Sequence, residues 1–145
     1  MALVAPLTPV DILLIEDDQP VRHLLTNALQ QCRYSVREAA NGRAAMRLYA
    51  AHRFRLVITD LFMPEMDGLE VIINHSRSHP NVPLLAMTGG YHYSDPDETL
   101  KMARVLGSYA TIKKPFELVD FLAAVHALAG RPLQALSSPL ALDPR

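Results

Sequence analysis

Three carboxylates, one hydroxyl and one ammonium stand at the ends of apolar runs in this chain. Asp60 closes Leu56-Val57-Ile58-Thr59, Glu16 and Asp17 follow Ile12-Leu13-Leu14-Ile15, Thr88 ends a third run, and Lys114 follows a fourth. A carboxylate at the C-terminal end of a buried strand sits at the rim where open α/β sheets bind ligands. Two unit charges ~5 Å apart repel by about 3 kcal/mol at an effective dielectric of about 20. Clustered acids therefore raise their pKa values or recruit a cation. Oxygen-only ligands with open positions suit Mg²⁺ (or Mn²⁺), which keeps several waters and shares a substrate phosphate. One carboxylate is then free to attack phosphorus and form an acyl phosphate, while Lys and Thr neutralise the equatorial oxygens.

The elements that must position these groups follow from periodicity. Short apolar runs over 11–16, 34–39, 55–60, 82–88 and 109–112 read as strands, and they alternate with helical patterns. The first helix carries Val21, Leu24, Leu25, Ala28, Leu29 and Cys32 on one stripe. Further helices are expected over 42–52 and 69–77. Asp95-Pro96-Asp97-Glu98 announces a fourth that stops at Gly107, and a fifth carries Leu118, Phe121, Leu122 and Val125 and ends near Gly130. Five strands separated by helices imply a doubly wound α/β fold with a parallel sheet and right-handed crossovers. Strands one, three and four are continuously apolar, as central strands are, whereas strands two and five are more polar. The order 2-1-3-4-5 satisfies this and brings Glu16, Asp17 and Asp60 to the switch point between strands one and three.

At 145 residues the chain is long enough for one domain with a real core. A net charge of −1, with no run of Lys and Arg, argues against a nucleic-acid binder that works by bulk electrostatics. Cys32 is the only cysteine, which excludes an internal disulfide and fits a reducing cytosol. Met1–Pro9 lacks the features of a signal peptide, and no run reaches the ~18 apolar residues of a spanning helix. The expectation is a cytoplasmic protein with no membrane or direct nucleic-acid partner. Residues 1–9 read as a disordered extension, 10–130 as the folded domain, and 131–145 as a disordered tail or the start of a linker. There is no internal repeat.

The joint pattern resembles the receiver domain of bacterial two-component response regulators. It is carried by Ile15-Glu16-Asp17-Asp18, by Asp60 with Met63-Pro64-x-Met66-Asp67-Gly68, by Met87-Thr88-Gly89 and by Lys114-Pro115-Phe116. The resemblance covers roughly residues 10–130 and implies a flavodoxin-like five-stranded sheet with five helices. It implies that Asp60 is the phosphoacceptor, fed by a phosphohistidine on a sensor histidine kinase or phosphotransfer protein. Asp17 is then the direct Mg²⁺ ligand, Glu16 its water-mediated partner, and Asp60 and the backbone carbonyl of Phe62 further ligands. Thr88 would bind a phosphoryl oxygen, and Lys114 would pair with the phosphate and Asp60. A cis bond before Pro115 is implied as well. Phosphorylation would remodel the face of the fourth helix, fifth strand and fifth helix, to bind a downstream protein or to form a dimer from a monomer.

Some positions depart from the family pattern. Thr111 stands where an aromatic switch residue is common, and Tyr109 shares its strand parity. The loop Gly89-Gly90-Tyr91-His92-Tyr93-Ser94 is longer than usual. Phe62 and Gly90 carry no side chain able to orient a hydrolytic water, which predicts a long-lived phosphorylated state and faster dephosphorylation in Phe62→Asn. Asp67 and Asp18 read as helix caps, Lys113 as a solvated edge charge, and His75 and His79 as surface residues. Two other readings share the chemistry. A Mg²⁺-dependent phosphohydrolase of the haloacid dehalogenase type would need Asp-x-Asp, but the chain has Asp60-Leu61-Phe62 and no room for a cap domain. A degenerate receiver is disfavoured by intact Asp17, Asp60, Thr88 and Lys114. The protein is thus expected to be a phosphorylation switch rather than an enzyme with a diffusible product.

Overall fold

The computed structural model describes residues 6–61, 68–88, 101, 103–105, 107 and 109–136. Five parallel strands, β1 (Thr8–Ile15), β2 (Val36–Ala39), β3 (His52–Asp60), β4 (Leu84–Thr88) and β5 (Ala110–Lys113), form one sheet in the order β2-β1-β3-β4-β5. The order inferred from strand polarity is the one observed. Ile12–Ile15, Leu56–Asp60 and all of β4 are buried, whereas β2 and β5 at the edges are half-exposed. β1 begins at Thr8, earlier than its apolar run suggests, because Thr8 and Pro9 pair with His52 and Arg53 of an equally extended β3.

Helices cover both faces of the sheet. On one face α2 (Gly42–Ala51) and α3 (Gly68–Ser78) pack over Leu13, Ile15, Phe54, Val57 and Ala86. On the other, α1 (Gln19–Gln31) and α4 (Leu118–Ala129) close over Ile12, Leu14, Leu56, Ile58 and Met87. Local signals set the helix starts. Asp18 caps α1 by accepting from the Val21 N–H at 3.2 Å, with proline in the first turn, and Asn41 caps α2 through Ala44 N–H at 2.7 Å. Residues 101 and 103–105 are helical, and Gly107 ends that segment at φ +128°, where its N–H reaches the Ala103 carbonyl at 3.1 Å. The start of that helix at Asp95-Pro96-Asp97-Glu98 lies outside the described residues.

Two expectations need correction. His75 is a core residue, only 2% exposed. Its Nε2 lies 2.7 Å from the Val82 carbonyl, and its Nδ1 lies 2.8 Å from the Tyr49 hydroxyl, so the neutral ring has a partner at each nitrogen. His79 stacks on both rings. Histidine is amphipathic enough to fill an inter-helix gap once both nitrogens are satisfied, and helical spacing alone does not show this.

The segment after Gly130 also does not leave the body at once. A short helix, α5 (Leu133–Leu136), follows, and its Leu133 N–H donates to Asp11 Oδ1 at 3.0 Å. Asp11 is buried and pairs with Arg55 at 2.8 Å; Arg55 also donates to the carbonyls of Ala129 (2.7 Å) and Arg131 (2.6 Å). Tyr34 donates to the Gly130 carbonyl at 2.5 Å. A carboxylate that cannot stay buried unpaired and a guanidinium with five donors thus hold residues 129–133 against the start of the sheet.

Candidate functional site

The C-terminal ends of β1 and β3 converge because the two strands run in register, Ile15 beside Thr59. That places Glu16 and Asp17, just past β1, against Asp60, the last residue of β3. One ligand oxygen from each of the three carboxylates lies within 4.8 Å of the others. Glu16 is fully buried, Asp60 is 8% exposed, and Asp17 opens to solvent. On the far side, Lys114 Nζ lies 2.6 Å from Glu16 Oε1 and 3.6 Å from Asp60 Oδ2.

Backbone contacts fix these groups. The Lys114 N–H donates to the Thr88 carbonyl at 2.7 Å, so the lysine leaves the end of β5 beside the end of β4. The Lys114–Pro115 bond is cis, as expected. Thr88 is fully buried at the same rim, one residue beyond the Asp60–Met87 pair. Thr59 Oγ1 donates to the Asp60 carbonyl at 2.9 Å, and Leu61 N–H to Met87 at 3.0 Å.

Gly68, marked in the sequence only as part of the Asp60 segment, and Arg22, which no motif marked, both support the site. A Cβ on Gly68 would fall inside contact distance of the Asp60 carbonyl oxygen and 2.5 Å from Leu61 Cα, so only glycine lets α3 start this close to Asp60. Arg22, one turn into α1, donates to the Glu16 carbonyl at 2.8 Å. The Asp67-Gly68 motif signalled Gly68 but not its close approach to the Asp60 main chain; Arg22 gave no signal.

Burial decides the titration of the cluster. It lifts Glu16 above the ordinary carboxylate range, aided by the charge of Asp60 and opposed by Lys114. Asp60 is also raised by burial, with Lys114 opposing and Asp17 adding, and Asp17 is raised by burial and by Glu16. Burial acts to lower Lys114, but its hydrogen bond to Glu16 and the charge of Asp60 outweigh this and hold it above the usual lysine range. One ammonium against three carboxylates leaves two negative charges, which a divalent cation balances. The donor set is all oxygen, and exposed Asp17 leaves room for water ligands, so the residues fit Mg²⁺.

Some expected participants are not placed. Phe62, whose carbonyl completes the expected ligand set, lies outside the described residues, as do Asp67 and the loop Gly89–Ser94 with its two tyrosines. At the switch position, Thr111 Oγ1 accepts from Arg104 at 3.2 Å, and Tyr109 is 73% exposed.

A family profile described as "Response regulator receiver domain" matches residues 12–126. The chain belongs to that family. Response regulator MprA of Mycolicibacterium vanbaalenii is 34% identical, over 94% of this chain and 61% of its own length. This chain thus spans about three fifths of that relative. The receiver protein CpdR of Brucella abortus is 33% identical over 81% of this chain and 94% of its own. Among solved structures, the non-phosphorylated HemR receiver domain from Leptospira biflexa superposes with a TM-score of 0.72 at 29% identity, covering 85% of this chain and 94% of that one. A receiver is a signal-transduction module, and the Glu16–Asp17–Asp60 cluster is the arrangement a phosphoaspartate-type site requires. No helix among the described residues is long and apolar enough to cross a membrane.

Proposed function

We propose that Asp60 accepts a phosphoryl group from a phosphohistidine on a sensor histidine kinase or phosphotransfer protein. The observation that carries this reading is the convergence of Lys114 Nζ on Glu16 (2.6 Å) and Asp60 (3.6 Å) within the three-acid cluster. An Asp60 carboxylate oxygen attacks phosphorus in line, the P–N bond to the donor histidine breaks, and the imidazole leaves and takes up a proton. Lys114 releases its hold on the Asp60 carboxylate and pairs with a phosphoryl oxygen, while buried Thr88 donates to another. Glu16 and Asp17, with the carbonyl of Phe62, would hold Mg²⁺ beside Asp60, and that ion when bound supplies charge neutralisation at the transferring group.

The donor's docking surface lies next to Lys114. A cavity of about 430 Å³ between α1 and the segment after β5 is lined by Asp18, Val21, Leu24, Leu25 and Pro115-Phe116. Leu24, 58% exposed, offers apolar contact for a helix that carries the phosphohistidine. The receiver unit spans 10–130, extended by Thr8 and Pro9 of β1 and by residues 131–136 held at its base, and the protein acts in the cytoplasm on a downstream protein partner. Incubation with Mg²⁺ and acetyl phosphate tests the reading by intact mass. One added phosphoryl group, absent from Asp60→Asn, is expected. Sustained turnover of small phosphate esters would favour a phosphohydrolase, and no reaction would favour a degenerate receiver.

A further inference from the structure

The charge of this chain is unevenly placed. Residues 33–55 hold six arginines and one acid, a net charge of +5, while the rest of the chain carries −6. Sequence alone shows no contiguous basic run, but folding packs α2 against β2, and each carries exposed arginine. Arg43 and Arg47 are one turn apart on α2, and both are exposed. Arg37 is exposed on the edge strand β2, which α2 packs over. On β2, Ala39 packs in the core beneath α2 and α3, and strand alternation puts Arg37 on that same side.

The one acid in the stretch does not neutralise this face. Glu38 points the other way and accepts from Thr26 of α1 at 2.6 Å. Helix α2 itself contains no acid at i±3 or i±4 from either arginine. Among the described residues, no ion pair or side-chain hydrogen bond engages the guanidiniums of Arg37, Arg43 or Arg47. Arg43 also sits in the first turn of α2, where the helix dipole disfavours a cation. Arg55, the arginine that the fold uses structurally, is by contrast fully engaged with Asp11 and two carbonyls.

We infer that the α2–β2 face, through Arg37, Arg43 and Arg47, is a docking surface for an acidic segment of a partner protein. Guanidinium forks match carboxylates in two-point geometry, and three of them on one short face suit a compact run of Asp and Glu. A long polyanion such as duplex DNA fits less well. α2 extends only about 15 Å, and charge running past it meets a chain that is otherwise net negative. The face is formed by α2 and β2, whereas the proposed donor groove is formed by α1 and the segment after β5. A partner here would not displace the phosphoryl donor.

The test is a titration of the ¹⁵N-labelled protein with a deca-glutamate peptide at low ionic strength, with deca-glutamine as the neutral control. Amide shifts should concentrate in 36–39 and 42–48. The triple reversal R37E/R43E/R47E should weaken binding by at least about tenfold, and Arg43→Glu should do so to a lesser degree. Arg77→Glu, the same charge change at an exposed position of α3, should stay within about twofold. Unchanged thermal melts establish that each variant is folded. Perturbations that map elsewhere, or an Arg77→Glu effect equal to that of Arg43→Glu, would overturn the assignment. Tighter binding of a short DNA duplex than of the peptide would point to nucleic acid instead. Sedimentation that shows self-association abolished by the triple reversal would make the occupant a second copy of this chain.

Discussion

Replacing Gly68 with alanine separates the demands of the site from those of the helix it begins. In an ordinary first turn, alanine would gain up to about 1 kcal/mol from helix propensity. Here the added methyl would meet backbone rather than a flexible side chain: the Asp60 carbonyl, and Leu61 Cα at 2.5 Å. Those atoms cannot yield easily. Leu61 N–H is bonded to the Met87 carbonyl at 3.0 Å, Gly68 N–H to the Leu61 carbonyl at 3.0 Å, and Thr59 Oγ1 to the Asp60 carbonyl at 2.9 Å. Overpacking of this kind costs about 1–3 kcal/mol, and an immovable neighbour places it at the upper end. The net expectation is a loss of about 2 kcal/mol. Urea unfolding of the metal-free protein should show a lower midpoint at unchanged slope. Because relief requires the Asp60 main chain to move, binding of a beryllofluoride phosphoryl mimic should weaken as well. A Gly68→Ala protein as stable as the wild type would refute the close-approach argument.

Three further outcomes are expected. Arg55→Met leaves the Asp11 carboxylate buried without its cation and frees the Ala129 and Arg131 carbonyls; it should cost about 2–4 kcal/mol, with amide exchange rising first across 129–136. Exchange that stayed slow there would mean the segment is held by other contacts. Burial holds His75 below the usual histidine range, aided by the charge of His79 and opposed by the Val82 carbonyl. The unfolded chain therefore takes up that proton first on acidification. The stability this neutral ring contributes is complete above about pH 6.5 and is lost as pH falls through the folded-state pKa, by at most about 1.4 kcal/mol per pH unit. His75→Phe should remove that part of the pH dependence, and identical profiles would sink the idea. Mg²⁺ should raise the melting temperature of the wild type, by about 1.4 kcal/mol of stability at ten times its dissociation constant, and should do so far less in Asp17→Asn.

Much of this arrangement was legible because the residues involved obey strong local rules. Continuous apolar runs set β1, β3 and β4 at the centre of the sheet, and the strand ends then placed Glu16, Asp17, Asp60, Thr88 and Lys114 on one rim. Asp18 was recognisable as a cap because helix termini need acceptors. What escaped depends on partners distant in sequence. Asp11 looked like a strand-start acid, yet its partners are Ser35, Arg55 and Leu133, 24, 44 and 122 residues away. His75 looked solvent-facing until Tyr49 and Val82 supplied a partner for each ring nitrogen. Arg37, Arg43 and Arg47 form no run, and only the packing of α2 on β2 brings the elements that carry them together.

The two ends of α4 constrain how a signal can leave the site. Its first residue, Leu118, lies four positions after Lys114, which contacts both Glu16 and Asp60. Its last residue, Ala129, gives its carbonyl to Arg55 at 2.7 Å, and Gly130 gives its own to Tyr34. If Lys114 moves from a carboxylate to a phosphoryl oxygen, as proposed, the helix would be perturbed at one end while the other is held to the sheet. Motion would then fall on the unanchored part, where Leu118 is 37% and Val119 70% exposed, with Tyr109 just before β5 73% exposed. Thr111 adds no aromatic that could swing inward; its hydroxyl ties β5 to Arg104 of the preceding helical segment. On the proposed reading, a shift of β5 at the Lys113–Lys114 end would be felt at this polar contact. Thr111→Val, which removes it, should therefore alter how phosphorylation changes amide exchange in 109–113; an unchanged response would refute a part for the Arg104–Thr111 bond.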